Sequence, residues 1–203
     1  MSPLPSQPTR RGVAALLAIA GACAAGASPC AASNKPRRDA AIALPATPFG
    51  SAHDFDFEHG RWRTTLRRRV HPLSGSDVWA EYAGTTTVLP LWGGRANIVE
   101  LDVSGRAGRL EGLSLRLFDP QRKRWTLNFS TVAAGTLAPP MTGGFGGGRR
   151  GVFYSAETFD GRAVLVRFIV ESTSADTCRF EQAFSTDNGS TWETNWIALD
   201  TRS

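Results

Sequence analysis

A chain of 203 residues with a formal net charge of +5 suits one domain around a single core. Its three cysteines and three histidines are too few and too scattered for a disulfide framework or a zinc spacing, so no metal site is expected. The basic excess gathers at Arg61, Arg63, Arg67, Arg68, Arg69 and Arg149-Arg150 without a recognisable nucleic-acid module around it, and nucleic acid is not an expected partner.

At the amino end Thr9-Arg10-Arg11 precedes the apolar run Val13 to Ala20 and a small-residue region ending Ala25-Gly26-Ala27. This is the pattern of a bacterial export signal over residues 1–27, which addresses the protein to the periplasm or the medium. The run is shorter than the roughly 20 apolar residues a spanning helix needs, so no transmembrane segment is expected. The paired arginines fit the Tat route as well as an ordinary Sec signal. Cys23 follows Ala20-Gly21-Ala22, a poor lipoprotein acceptor. Residues 28–52 are rich in Ala, Pro, Ser and basic residues without periodicity, and read as a flexible leader to a domain over residues 53–203.

From Asp54 onward, β-rich segments recur between turn signals. Strands are expected near Arg61 to Val70, Val78 to Leu89, Ala96 to Val103, Gly112 to Phe118, Arg124 to Thr131, Gly151 to Thr158, Ala163 to Ser172, Cys178 to Ser185 and Trp192 to Asp200. Ser74-Gly75-Ser76-Asp77, Asp119-Pro120, Asp160-Gly161 and Asn188-Gly189 punctuate them with turn chemistry. Short connections imply antiparallel pairing, and closure removes exposed edges. The expected fold is all-β, an antiparallel barrel of about eight to ten strands.

Alternation on the first strand places Trp62, Thr64, Leu66, Arg68 and Val70 on one face, and Arg61, Arg63, Thr65, Arg67 and Arg69 on the other. If the first face is interior, Arg68 needs a carboxylate, an escape to the barrel mouth, or a bound anion. It is therefore either structural or an anchor for an acidic ligand. Tyr82, Trp125 and Gln182 are further inward candidates, as core or as ligand contacts. The loop from Ala138 to Arg150 is Gly-rich, but it has no G-K-[ST] and no following helix. It is no phosphate cradle and reads as a flexible flap. His53, His59 and His71 lie near Asp54, Asp56 and Glu58, a solvated strand entrance or, as the alternative, a metal or acid–base cluster. No residue points to a particular cofactor.

Ser185-Thr186-Asp187-Asn188-Gly189-Ser190-Thr191-Trp192 fits the S-x-D-x-G-x-T-W pattern of an Asp-box hairpin. The Asp187 carboxylate would accept backbone N–H groups, Gly189 would take the positive φ, and Trp192 would pack over the turn. The role is structural, and a single copy argues against a sialidase propeller.

Gly60-Arg61-Trp62 at the head of the first strand, together with the stretch Phe184 to Trp196, resembles the lipocalins of the calycin group. It is similar to uncharacterised bacterial lipocalin-like domains over roughly Asp54 to Arg202. The resemblance implies that Gly60 and Trp62 open a barrel whose end Trp62 plugs, with Arg202 lying across the ring. It brings no catalytic residue. The expected function is an exported protein holding a small, partly apolar or anionic molecule in its barrel. Two alternatives stay open: a small barrel enzyme, hydrolase or isomerase, using a histidine near the first strand, or a filled-core scaffold presenting its basic row.

Overall fold

The computed structural model describes residues 42–203. The expected export signal, Cys23 and Cys30 lie outside the described residues.

Ten strands follow one another along the chain. They are β1 (Gly60–Arg69), β2 (Trp79–Leu91), β3 (Ala96–Gly105), β4 (Gly108–Asp119), β5 (Arg124–Thr131), β6 (Met141–Gly144), β7 (Arg150–Phe159), β8 (Arg162–Ser172), β9 (Thr177–Ser185) and β10 (Glu193–Arg202). Each pairs antiparallel with its neighbours, and β1 pairs with β10, so the meander closes into a barrel. Closure leaves no free edge, the outcome that short connections favour. On β1 the alternation holds: Trp62, Thr64 and Leu66 are buried while Arg61, Arg63, Thr65 and Arg67 are exposed.

All strands but β6 stand where alternation and turn chemistry put them. β6 falls inside the Gly-rich segment expected to be a flap, and the glycines are there for close approach rather than looseness. A Cβ on Gly143 would lie 2.0 Å from the Val152 carbonyl oxygen, and one on Gly151 would lie 2.7 Å from the Phe145 ring. Phe145 is 4% exposed and packs edge-on against Phe55, with centroids 5.1 Å apart. Of the expected flap, residues 138–140 and 145–149 remain outside the strands.

The end of the expected leader lies on the barrel. Gly50 N–H donates to the Lys123 carbonyl at 2.8 Å, Gly146 N–H to that of Phe49 at 2.7 Å, and Trp125 Nε1–H to that of Ser51 at 2.8 Å. A 3-10 turn, Asp56–Glu58, then crosses one barrel mouth. Phe55, Trp62, Trp125, Phe145 and Phe153 are buried together in the same core cluster. This is the closed end.

Candidate functional site

Above the closed end the inward faces turn polar. On β4 Gly112, Ser114 and Arg116 are buried, while Leu113 is 44% exposed. Arg116, 3% exposed, meets Glu58, 0% exposed, through two contacts: Nη1 to Oε2, and Nη2 to Oε1 at 3.1 Å. The guanidinium also lies 4.4 Å from the Phe55 ring centroid. A buried charge demands such a partner. The inward arginine with a carboxylate is therefore Arg116, not Arg68.

On β10 Asp200 is 2% exposed, and Thr64 of β1 and Cys178 of β9 stand opposite it. Burial pushes its carboxyl up to about 7, with Glu58 adding to the rise and the Thr64 and Thr86 hydroxyls and Arg116 pulling it back. Those hydroxyls are 2.7 Å from each other. Asp200 Oδ1 has no hydrogen-bond partner among the described residues. Across the barrel Glu157 of β7 is also raised by burial, and the Ser155 hydroxyl donates to it at 2.5 Å. Burial pushes the Cys178 thiol up to about 12, which leaves it unreactive as a nucleophile near neutral pH.

Glu58, Arg116, Asp200 and Glu157 line a cavity of about 130 Å³. These four and Gln182, with the hydroxyls of Thr64, Thr86 and Ser114, supply its polar lining, and Val99, Leu101, Leu127, Phe129, Phe168 and Phe180 much of the rest. Pro139 and Met141 line it from the connection into β6.

The residues singled out from sequence divide. Gln182 lines the cavity and donates through Nε2 to Asn195 Oδ1 at 3.0 Å. Arg68, Tyr82 and Trp125 are not among its lining. Arg68 is half-buried near the end of β1, opposite Ala80 and Trp196, with no ion pair among the described residues and no partner for its Nε. Tyr82 is core and reaches a groove at the rim shared with Arg67, Trp79 and Arg106. Trp125 belongs to the closed end, 4.9 Å from Phe55 between centroids.

Gly60 takes φ +113° as β1 begins. Trp62 is fully buried beneath Arg202. In the turn from Ser185 to Trp192, Asp187 accepts from Ser185 Oγ, from Thr191 N–H at 2.8 Å and from Thr191 Oγ1 at 2.6 Å. Gly189 has φ +88°, and the Trp192 indole donates to its carbonyl at 3.0 Å.

Two of the three histidines approach the same carboxylate, that of Asp56. His53 Nδ1 lies 2.9 Å from Asp56 Oδ2 at an exposed position, and His59 Nε2 lies 3.9 Å from Asp56 Oδ1. His71 follows the far end of β1. No cluster of three His, Cys, Asp or Glu among the described residues is placed to hold a metal ion. No helix among them is long and apolar enough to cross a membrane.

Sequence reasoning passed over Arg116, Glu157 and Asp200 as site residues, and placed Glu58 only in the cluster with the histidines near the first strand. The available signal was polar residues in phase with known inward neighbours: Asp200 is in phase with Trp196 and Ala198, and Arg116 with Gly112 and Ser114.

No protein-family model matches the chain, and no curated protein matches it. Among solved structures it is similar to a protein described as EF1p2_mFAP2b bound to DFHBI, at 7% identity over 75% of this chain and 98% of that chain, with a TM-score of 0.42. A redesigned β-barrel, mFAP0, bound to DFHBI, matches at 9% identity over 72% of this chain and 99% of that one, with a TM-score of 0.40. At these values no function is carried across.

Proposed function

We propose that this is an exported, lipocalin-like protein that holds a small, largely apolar molecule inside its barrel, with its Asp187 turn acting as an Asp-box-type structural clasp. The observation that carries the reading is the interior cavity itself. Apolar walls with a few convergent polar groups are the usual make-up of a ligand site. Its roughly 130 Å³ is close to the ~150 Å³ of a dry engineered cavity that takes up benzene. It is well below the roughly 300 Å³ at which drug-sized pockets begin. The ligand is therefore about the size of a benzene ring. An anionic ligand has little support, because Arg116 is already engaged by Glu58 and two further carboxyls share the lining.

The small volume also favours one rival, the filled-core scaffold whose exposed Arg61, Arg63 and Arg67 face outward. An enzyme reading would rest on Asp200, whose carboxyl sits at about 7, rather than on the exposed His53–Asp56 pair.

Native mass spectrometry of protein purified from its own host separates these readings. A retained small molecule, or uptake of benzene seen as shifted Phe168 and Phe180 resonances, is the expected result. No retained mass and no shift with benzene would leave the scaffold standing.

A further inference from the structure

We propose that the cavity selects a small molecule ending in a protonated amine, its ammonium seated against Asp200 and its apolar body against Leu127, Phe168 and Phe180. The inference rests on the binder reading and adds the class of head group. Three carboxyl side chains line the cavity, those of Glu58, Glu157 and Asp200, against a single guanidinium, that of Arg116. That guanidinium forks onto Glu58, and Glu157 has the Ser155 hydroxyl. Asp200 has the Thr64 and Thr86 hydroxyls beside it but is left as the acceptor: 98% buried, lining the cavity, with Oδ1 unmatched among the described residues. Buried polar atoms nearly always have partners. A charged donor is the partner that satisfies a carboxylate best, and its positive charge offsets the surplus of negative groups.

The one opposing signal is Arg116 Nε, a buried donor also without a partner. It belongs to a guanidinium whose charge Glu58 already balances, so it calls for a neutral acceptor rather than for an anion. A carboxylate ligand would instead enter among three groups of its own charge. The groups facing Asp200 are Glu58 from the 3-10 turn, Arg116 from β4, Cys178 from β9, and Thr64 and Thr86 from β1 and β2. With Cys178 held neutral at ordinary pH, the proton on Asp200 decides whether an ammonium finds a carboxylate or an acid there.

Isothermal titration with n-butylamine, n-butanol and butyrate, at pH 8 and pH 5, tests this. All three are small enough for a cavity of about 130 Å³ and differ in head group. Butylamine is expected to bind about tenfold tighter than butanol at pH 8, as a charge-assisted bond should. Butyrate should be the weakest. The amine's advantage should shrink at pH 5, and Asp200→Asn should remove it at both pH values. Equal binding of amine and alcohol, or a preference for butyrate, overturns the proposal while the binder reading stands. Failure of all three to bind while benzene still shifts the Phe168 and Phe180 resonances overturns the amine proposal alone, and failure of benzene as well, with no retained mass, overturns both. The head-group contrast and the pH contrast are read on the unmutated protein, so they decide the matter even if the variant does not fold.

Discussion

Arg202 lies over Trp62, its guanidinium carbon 4.1 Å from the ring centroid. Its Nη1 and Nη2 donate to the carbonyls of His59 at 3.0 Å and Phe57 at 2.8 Å. Beneath it the Trp62 indole donates to the Glu58 carbonyl at 2.7 Å. The last strand thus clamps the turn that carries Glu58 onto the first strand, and this clamp sets where the floor of the cavity stands. The G-x-W triplet and the terminal arginine, far apart in sequence, act as one device.

Trp62→Ala should therefore lose more than packing. A fully buried Trp reduced to Ala costs about 3–5 kcal/mol, and here the Glu58 carbonyl also loses its donor. Urea unfolding followed by circular dichroism measures it. A loss below about 1 kcal/mol would show that the ring does not plug the barrel.

The pair beneath the cavity gives a second test. Arg116→Met strands the Glu58 carboxylate in the interior and should destabilise by about 3–5 kcal/mol, whereas Glu58→Leu combined with Arg116→Met should recover a large part of that loss. A double-mutant cycle in denaturant reads the difference. Simple additivity of the two single losses would mean that the groups are not coupled.

The strands were legible because period-2 alternation and Asx-Gly turns are local signals, and the plug of Trp62 and Arg202 through the lipocalin resemblance. Trp125 and Phe145, which complete the closed end, read in sequence as a pocket candidate and as part of a flap. The interior was not legible, because it inverts the usual pattern. Leu113 of β4, at 44%, and Leu199 of β10, at 49% exposure, face out, while Arg116 and Asp200 face in. Reading apolar as inward selects the wrong face of β4. Arg68 drew notice because its neighbours are apolar, yet on β1 it stands beyond Leu66, toward the far end of the strand from the Glu58 turn. Glu58 looked solvated among histidines and acids, and only the fold of the 3-10 turn over the mouth buries it.

Stability should fall as pH rises from about 4 to about 7. In that window the folded Asp200 carboxyl, raised to about 7, keeps a proton that the unfolded chain, near 3.8, has released. Unfolding then releases protons, so ΔG of unfolding decreases with pH, by about 1.4 kcal/mol for each pH unit of displacement. Glu157, also raised by burial, acts in the same direction. Melting temperatures at pH 5 and pH 8 should differ clearly in the unmutated protein, and the gap should narrow in Asp200→Asn. An unchanged gap would mean that Asp200 ionises normally.

Asp187 behaves oppositely. The Thr191 hydroxyl and N–H and the Ser185 hydroxyl hold its carboxyl down at about 2, so its contribution is present above pH 4 and is lost as pH falls toward 2. Asp187→Ala should lower the melting temperature at pH 7 and leave small-molecule affinity in the barrel unchanged. Weakened binding at full stability would mark a functional residue.

The Gly-rich segment separates close approach from flexibility most sharply. Gly143 sits in β6 with its missing Cβ 2.0 Å from the Val152 carbonyl oxygen, whereas a Cβ on Gly148 would meet only the Phe145 carbonyl oxygen, at 3.5 Å. Gly143→Ala must push β6 away from β7 and should cost at least about 1–3 kcal/mol, as overpacking does. Gly148→Ala lies in the turn, where φ is not in the left-handed region, and should stay within about 0.5 kcal/mol of the parent. A mobile flap would tolerate both changes equally. Equal and small effects in thermal unfolding would therefore remove β6 from the barrel wall and reopen that side of the cavity.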